Sequence, residues 1–321
     1  QPKWRFFPHL RIMINQLEEK ISSAFPIDIA GTNKTIFIAG MGRSGTTWVA
    51  ETINYSNEFR ILFEPFFPSK TKQLKDYQYI QYISPNNKKD KYFSPASSII
   101  RGEIRNQWID QFNKKYIYTK RLIKDIHCNL MLGWIKENFP GVPILFVIRH
   151  PLQVISSWQK LGWGIEALGE RSDYEIVISQ EQIIKDYPII EKAINKFNIK
   201  TNFEKFLFLW CIYHYVPLQQ LMPNGMHIIF YENLLINPMK EFTKIFNFLE
   251  YNPNLKKINK IINLPSSTNF QKRNIDSSKD ILLNGWKQKF IIEDQYKCFE
   301  LLSYFNLSGL YDNEGYPKNP F

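Results

Sequence analysis

A glycine-rich turn between an apolar run and a helical segment is the strongest chemical signal in the chain. Thr35–Ala39 is a short apolar run, typical of a strand buried on both faces of a parallel sheet, and a helical segment begins at Thr46. Glycines between them allow backbone N–H groups to converge, and the helix start adds partial positive charge. The turn therefore predicts an anion site formed by Gly42, Arg43, Ser44, Gly45, Thr46, Thr47 and Trp48.

This turn differs from the nucleoside-triphosphate loop GxxxxGK[ST] at one position. The loop's lysine reaches the β- and γ-phosphates, and Thr46 stands in its place here, although Gly40, Gly45 and Thr47 match. Arg43, inside the turn, supplies a cation that can fork onto phosphate or sulfate oxygens. The pattern argues against ATP or GTP, and a kinase-like nucleotide enzyme without its lysine is kept as an alternative.

A second cationic motif follows the apolar run Val142–Ile148. Arg149 ends that run, and Ser157 lies eight positions later, about two turns into the next helical segment. A cation at a strand end and a hydroxyl on the adjoining helix can converge on one anion. Ser156 replaces Ser157 if the helix register differs by one residue. Together the two motifs predict sites for the two ends of one small nucleotide.

These motifs resemble those of the sulfotransferases that use 3′-phosphoadenosine-5′-phosphosulfate (PAPS), in the carbohydrate and protein-tyrosine branch. Gly42–Trp48 resembles the 5′-phosphosulfate loop, and Arg149 with Ser157 resembles the 3′-phosphate site. The resemblance implies PAPS as donor, adenosine 3′,5′-bisphosphate (PAP) as product, and no metal. It also places Tyr231 near the adenine, with a core tyrosine as an equal alternative. A looser match implies that a C-terminal loop closes over the donor, with Ser267, Thr268, Lys272 and Arg273.

The candidate base is Glu64, which follows a second apolar run and stands among aromatic residues. Partial burial is expected to raise its pKa toward the working range. The resemblance implies the same role, because the carbohydrate and tyrosine branches place a glutamate base after the second strand. His127 is the rival base, although the cytosolic branch has Lys-x-His and this chain has one residue more between Lys124 and His127. The resemblance assigns Lys124, with Arg43, to the transferring group.

Strand-like runs alternate with helical segments along the chain. This order predicts an α/β fold, a P-loop-type three-layer sandwich with a central, mainly parallel sheet flanked by helices. We expect one sulfotransferase domain over residues 1–321, with a helical N-terminal extension at 1–33. Residues 67–115 and 160–200 are expected to be acceptor-side insertions or a lid, and residues 262–285 to be loop-like.

Composition limits the partners of the chain. Its 321 residues carry a formal net charge of +11, spread along the sequence, which favours an anionic partner such as a nucleotide. The sequence contains no nucleic-acid-binding motif and no apolar run long enough to cross a membrane. Three widely spaced cysteines favour a reducing, cytoplasmic compartment. Because the chain begins at Gln1 rather than Met, a Golgi-lumen or secretory context is the alternative.

The sequence thus predicts an enzyme that moves a sulfuryl group from PAPS to a hydroxyl group. A carbohydrate, a tyrosine and a small natural product all fit as acceptors. A catalytically silent nucleotide- or glycan-binding module is the second alternative, and the sequence does not indicate an oligomeric state.

Overall fold

The computed structural model describes residues 26–163, 171–264 and 275–318. Its strands are β1 (Ile27–Asp28), β2 (Thr35–Gly40), β3 (Phe59–Phe63), β4 (Ile117–Tyr118), β5 (Lys120–Asp125), β6 (Ile144–Ile148) and β7 (His227–Phe230). Five of them form one sheet in the order β3-β5-β2-β6-β7, and all neighbouring strands in it are parallel. The short strands β1 and β4 pair with each other. The predicted α/β class is therefore confirmed.

Helices cover both faces of this sheet. They are α1 (Thr46–Ile53), α2 (Asp90–Ile100), α3 (Leu132–Asn138), α4 (Pro151–Leu161), α5 (Asp173–Ile178), α6 (Glu181–Asp186), α7 (Pro188–Phe197), α8 (Asn202–Leu221), α9 (Tyr231–Ile236), α10 (Pro238–Phe248), α11 (Leu255–Ile261), α12 (Ile275–Asn284) and α13 (Ile292–Tyr304). Alternate side chains of β2 point to opposite faces. Phe37 joins the hydrophobic core beneath α8, whereas Ile38 joins the core beneath α1 and α10. The three layers follow from this alternation.

Every strand of a parallel sheet presents its carboxyl end at the same edge. In this sheet, β2 is the switch strand. The strands β3 and β5 lie on one side of it, and β6 and β7, which come later in the chain, lie on the other side. Open parallel sheets bind ligands outside the carboxyl ends at such a switch point. The turn after β2, Glu64 after β3, His127 after β5, Arg149 after β6 and Tyr231 after β7 all lie at this edge.

Two predicted segments differ from the structure. Within residues 26–33 of the predicted helical extension, the structure has strand β1 and the start of a 3-10 turn, Thr32–Lys34, and residues 1–25 lie outside the described part. The region expected to be loop-like, 262–285, contains α12, which was missed because its stretch is polar and lacks a clear apolar face. Residues 67–115 include α2 and the described part of 160–200 carries α5, α6 and α7.

A buried ionic network attaches β1 to the main sheet. The Asp28 carboxylate accepts two hydrogen bonds from Arg121, at 2.7 and 2.8 Å, and one from Arg60, at 3.2 Å. Arg60 also donates to Asp110 at 2.8 Å. The side chains of Arg60, Arg121 and Asp28 are fully shielded from solvent. Buried charges of this kind are tolerated only when they are paired, so this network fixes where β1 lies.

In the described part of the chain, no helix has both the length and the apolar character of a membrane span.

Candidate active site

The turn after β2 is held in shape by one of its own side chains and by side chains from two other segments. Trp158 donates from its indole Nε1 to the carbonyl of Gly42 at 2.9 Å, and Ser44 donates to the carbonyl of Met41 at 2.6 Å. Gly45 adopts a φ of 99°, and a Cβ there would collide with the ring of Tyr231. Helix α1 begins immediately afterwards, and its first amides have no intrahelical acceptor. The turn can therefore present several N–H groups to an anion.

The structure brings the two cationic motifs into direct contact. Arg43 donates from Nε to the hydroxyl of Ser157 at 3.0 Å, and Arg149 donates from Nη1 to the carbonyl of Arg43 at 3.0 Å. Ser157 accepts its hydrogen bond from Arg43, whereas Ser156 accepts one from Lys289. Two motifs that are far apart in the sequence thus line one continuous cationic surface.

Arg149 and two aromatic rings stand next to this surface. The Arg149 guanidinium lies 4.4 Å from the centre of the Tyr231 ring, and Tyr231 meets Trp48 edge-on at 5.9 Å. The Nε of Arg149 and the indole Nε1 of Trp48 are buried and have no hydrogen-bond partner. A buried guanidinium N–H without an acceptor is costly, so this corner suits an anion beside a flat ring. These features fit the phosphate and adenine of a nucleotide.

Glu64, Lys124 and His127 form a second cluster at the ends of β3 and β5. Lys124 donates from Nζ to Glu64 at 2.5 Å, and the imidazole Nε2 of His127 lies 3.5 Å from the other carboxylate oxygen. The imidazole stacks on Phe67, with ring centres 4.5 Å apart. Asp125 accepts the backbone N–H groups of Phe66 and His127, both at 2.7 Å, and so fixes the loops that carry these side chains.

The expected rise in the pKa of Glu64 is wrong for this arrangement. Burial does raise the pKa of Glu64, and it is the largest single effect. The nearby imidazole of His127 and the charge of Lys124 together outweigh it, so the pKa of Glu64 is lowered from its ordinary value. Glu64 is therefore an ionised carboxylate while Lys124 remains bonded to it.

A known family matches most of the chain. Residues 35–253 match the sulfotransferase family. This chain belongs to the sulfotransferase family. It is thus a sulfotransferase-family enzyme, as the two motifs predict, and the matched range contains both motifs together with Glu64, Lys124 and His127.

Several solved sulfotransferase structures are distantly similar to this sulfotransferase. A sulfotransferase domain from the curacin biosynthetic pathway is 17% identical, with 84% of this chain and 97% of that chain covered and a TM-score of 0.44. Mouse sulfotransferase SULT7A1, complexed with PAP, is 13% identical, with 92% and 90% covered and a TM-score of 0.45. The sulfotransferase domain of the Synechococcus PCC 7002 olefin synthase is 15% identical, with 87% and 96% covered and a TM-score of 0.42. No curated protein sequence matches the chain.

Four candidate donor-binding residues of this sulfotransferase lie outside the described residues: Ser267, Thr268, Lys272 and Arg273. Their roles stay predictions. Among the residues that are described, no group of three His, Cys, Asp or Glu side chains is placed to hold a metal ion.

Sequence reasoning missed Lys289, which lies next to the Arg149 motif. Its ammonium donates to Ser156 at 2.5 Å. Burial, then the neighbouring ammonium of Lys160 and the charge of Arg149, lower the pKa of Lys289 to about 8. The sequence has two lysines shortly after Trp286, but only the fold shows that Lys289 reaches helix α4, whereas Lys287 pairs with Glu314.

The sequence also gave no indication of a polar group beyond His127. Asp173, the first residue of α5, raises the pKa of both Tyr79 and Tyr213 through its negative charge, in addition to the larger effect of burial. The Tyr79 ring lies 5.2 Å from the His127 ring, and Tyr213 belongs to α8. Tyr79 and Asp173 belong to the two predicted insertions, and Tyr213 belongs to α8. The sequence alone did not indicate how these three segments are placed relative to one another.

Proposed function

We propose that this sulfotransferase moves a sulfuryl group from PAPS to a hydroxyl group of a carbohydrate, a tyrosine or a small natural product. The contact between the two cationic motifs is the observation that carries the proposal. Arg149 reaches the turn after β2, lies over Tyr231 and keeps a buried N–H without an acceptor. One nucleotide with phosphates at both ends satisfies these groups together.

The proposed reaction needs a base and a cationic clamp. Bound PAPS supplies the sulfuryl group: its S–O bond to the 5′-phosphate breaks as the acceptor oxygen bonds to sulfur, and the electron pair leaves on PAP. In-line transfer of this kind spreads negative charge over the equatorial and leaving oxygens. We assign Arg43, Lys124 and the N–H groups at the start of α1, all near the carboxyl edge of the sheet, to the stabilisation of that charge.

We propose Glu64 as the general base that takes the acceptor's proton. Without a donor, Lys124 is bonded to Glu64 and helps to keep the pKa of Glu64 low. If Lys124 turns to the sulfuryl oxygens, Glu64 loses that stabilisation and burial then raises its pKa. The same lysine would then stabilise the transferring group and switch on the base. His127, 3.5 Å from Glu64, is the alternative base.

Calorimetry with three ligands tests the donor assignment. The proposal expects PAP to bind more tightly than AMP, and ATP to bind weakly with or without magnesium. Tight ATP binding that exceeds PAP binding would instead favour the kinase-like alternative. Transfer from labelled PAPS to a panel of sugars, phenols and alcohols then tests catalysis. A protein that binds PAP but transfers to none of them would be a silent binding module.

A further inference from the structure

Glu64 stands in a strained turn directly after β3. Its φ is 46°, in the left-handed region that residues with a side chain rarely adopt. Strain of this kind persists only where the surrounding structure holds the backbone in place. One restraint is the backbone N–H of Glu64, which donates to the carbonyl of Lys124 at 2.7 Å. Because the strained residue carries the proposed base, the groups that hold its turn bear directly on catalysis.

A second restraint comes from the side chain of Asp125, the last residue of β5. The backbone pairing of β3 with β5 ends one position before it. The Asp125 carboxylate accepts the backbone N–H of Phe66 through one oxygen and that of His127 through the other, both at 2.7 Å. A single carboxylate therefore joins the turn that carries Glu64 to the loop that carries His127.

Burial of a carboxylate at this place is unfavourable. Asp125 is fully shielded from solvent, and burial raises the pKa of its carboxyl group. Hydrogen bonds to an ionised acceptor are shorter and stronger than those to a neutral one. An asparagine side chain would offer only one oxygen and would turn its NH₂ group toward the second backbone N–H. The charge of Asp125 thus serves both loops at once, which a neutral side chain of the same shape would not do.

The separation of the two candidate bases depends on these loops. The imidazole Nε2 of His127 lies 3.5 Å from a carboxylate oxygen of Glu64 and is buried without a hydrogen-bond partner. A hydroxyl oxygen about 2.8 Å from both atoms would pair with the imidazole and could pass its proton to the carboxylate. Phe67, which follows the anchored Phe66, stacks on the imidazole with ring centres 4.5 Å apart. The anchored turn therefore also sets the tilt of the imidazole ring.

From this geometry we infer that Asp125 is a positioning residue of the transfer reaction, which holds Glu64 and His127 at the separation where both reach the acceptor hydroxyl. Asp125 acts through the two loops and not by contact with the acceptor. The inference rests on the proposed function, because it takes one of these two side chains as the base. It holds for either base and for any hydroxyl acceptor.

The position of the His127 ring can be observed without an acceptor. The chain has five histidines, and ¹³C labelling of their rings in the full chain allows the His127 signal to be identified by its loss in His127→Asn. The ring of Phe67 displaces this signal, and Phe67→Leu calibrates the displacement. We expect Asp125→Asn to move the signal in the same direction as Phe67→Leu. The control Asp110→Asn removes an equally buried carboxylate, bonded to Arg60, and should leave the signal in place.

Turnover tests the consequence for catalysis. Labelled PAPS is supplied with whichever sugar, phenol or alcohol the wild-type protein sulfates fastest. We expect Asp125→Asn to lower kcat by about 10²-fold, because a misplacement of about 1 Å can cost that much, while PAP affinity stays within about twofold. In a protein that already carries the change of its base, Glu64→Gln or His127→Asn, the same substitution should cost much less, since both changes remove one alignment.

Each outcome decides the inference. It is overturned by a His127 signal that stays in place in folded Asp125→Asn or moves as far in Asp110→Asn, and by an equal fall in kcat in the wild-type, Glu64→Gln and His127→Asn backgrounds. If Asp125→Asn does not fold, amide exchange in the wild-type protein decides: the amides of Phe66 and His127 should exchange as slowly as those of β2, and rapid exchange contradicts the inference. A wild-type protein that does not bind PAP contradicts the proposed donor and leaves the His127 result standing.

Discussion

Among single residues, Glu64 has the most direct consequence for catalysis. Its carboxylate contacts both Lys124 and His127, so it can receive a proton or orient the imidazole that does. Glu64→Gln keeps the shape and removes the negative charge. We expect turnover to fall by about two to four orders of magnitude, because a general base contributes that much, while PAP affinity stays within about twofold.

The matched variant His127→Asn separates the two candidate bases. If Glu64 is the base, loss of the imidazole should cost about tenfold in turnover, much less than Glu64→Gln. Stopped assays with labelled PAPS measure both variants. Near-normal turnover of Glu64→Gln together with a collapse of His127→Asn would transfer the role to His127.

Lys289 allows a prediction about donor recognition. Because Lys289 and Lys160 are adjacent cations beside Arg149, an anion bound between them would relieve their repulsion. We expect Lys289→Met to weaken PAP by about tenfold and to leave AMP, which lacks the 3′-phosphate, nearly unchanged. Equal losses for PAP and AMP would show that Lys289 supports the fold and does not bind the phosphate.

The pH dependence of PAP binding follows from the same residue. Lys289, with a pKa of about 8, is protonated below that pH and loses its charge above it. PAP affinity of the wild-type protein should therefore decline as the pH rises from about 7 to 9, whereas that of Lys289→Met should decline less. Calorimetry at three pH values in buffers of matched ionization enthalpy measures the difference.

At the scale of elements, the attachment of β1 depends on one carboxylate. Asp28 is bonded to Arg121 and Arg60, and removing its charge leaves two buried guanidinium groups undercompensated. We expect Asp28→Asn to lower the free energy of unfolding by about 3 to 5 kcal/mol. Denaturant titration measures this change.

The exposed pair of Arg101 and Glu103 provides the control for that variant. Its atoms are 2.7 Å apart, as close as the buried contacts, but the two side chains are about half exposed. Glu103→Gln should therefore change the free energy of unfolding by less than about 1 kcal/mol. Similar losses in the two variants would mean that burial of Asp28 is not what makes it important.

At the scale of the whole molecule, the chain has an excess of positive charge, and Arg43 and Arg149 line a cationic surface at the carboxyl edge of the sheet. The net charge of +11 should accelerate the approach of an anionic donor, and dissolved salt should screen it. We expect the association rate of PAP to fall several-fold between about 20 and 300 mM salt. Stopped-flow measurement checks this, and adenosine, which has no charge, should show almost no change.

The parts of the fold that could be predicted from sequence are those set by local pattern. Strands β2 and β6 are continuous apolar runs, and α8 begins behind a capping box formed by Thr201 and Glu204. Helix α12 could not be predicted in this way, since its polar sequence carries neither an apolar run nor a clear apolar face.

The site was predicted only in part, for a related reason. Arg43, Arg149, Ser157 and Glu64 stand in short motifs next to strands, so their position at one edge follows from the sheet. Contacts between segments that are distant in the sequence produce no local sequence pattern from which they could be predicted. Lys289 meets Ser156 across 133 positions, and the lowered pKa of Glu64 depends on Lys124, which lies 60 positions away.

Because Tyr231 packs directly on Gly45, the residue type that is tolerated at one of these two positions depends on the residue at the other. The ring fills the volume that any side chain at position 45 would need. A bulkier residue there would displace the aromatic ring beneath Arg149, and a smaller residue at 231 would leave the glycine facing a void. Natural variation should therefore show the two positions exchanging together or not at all.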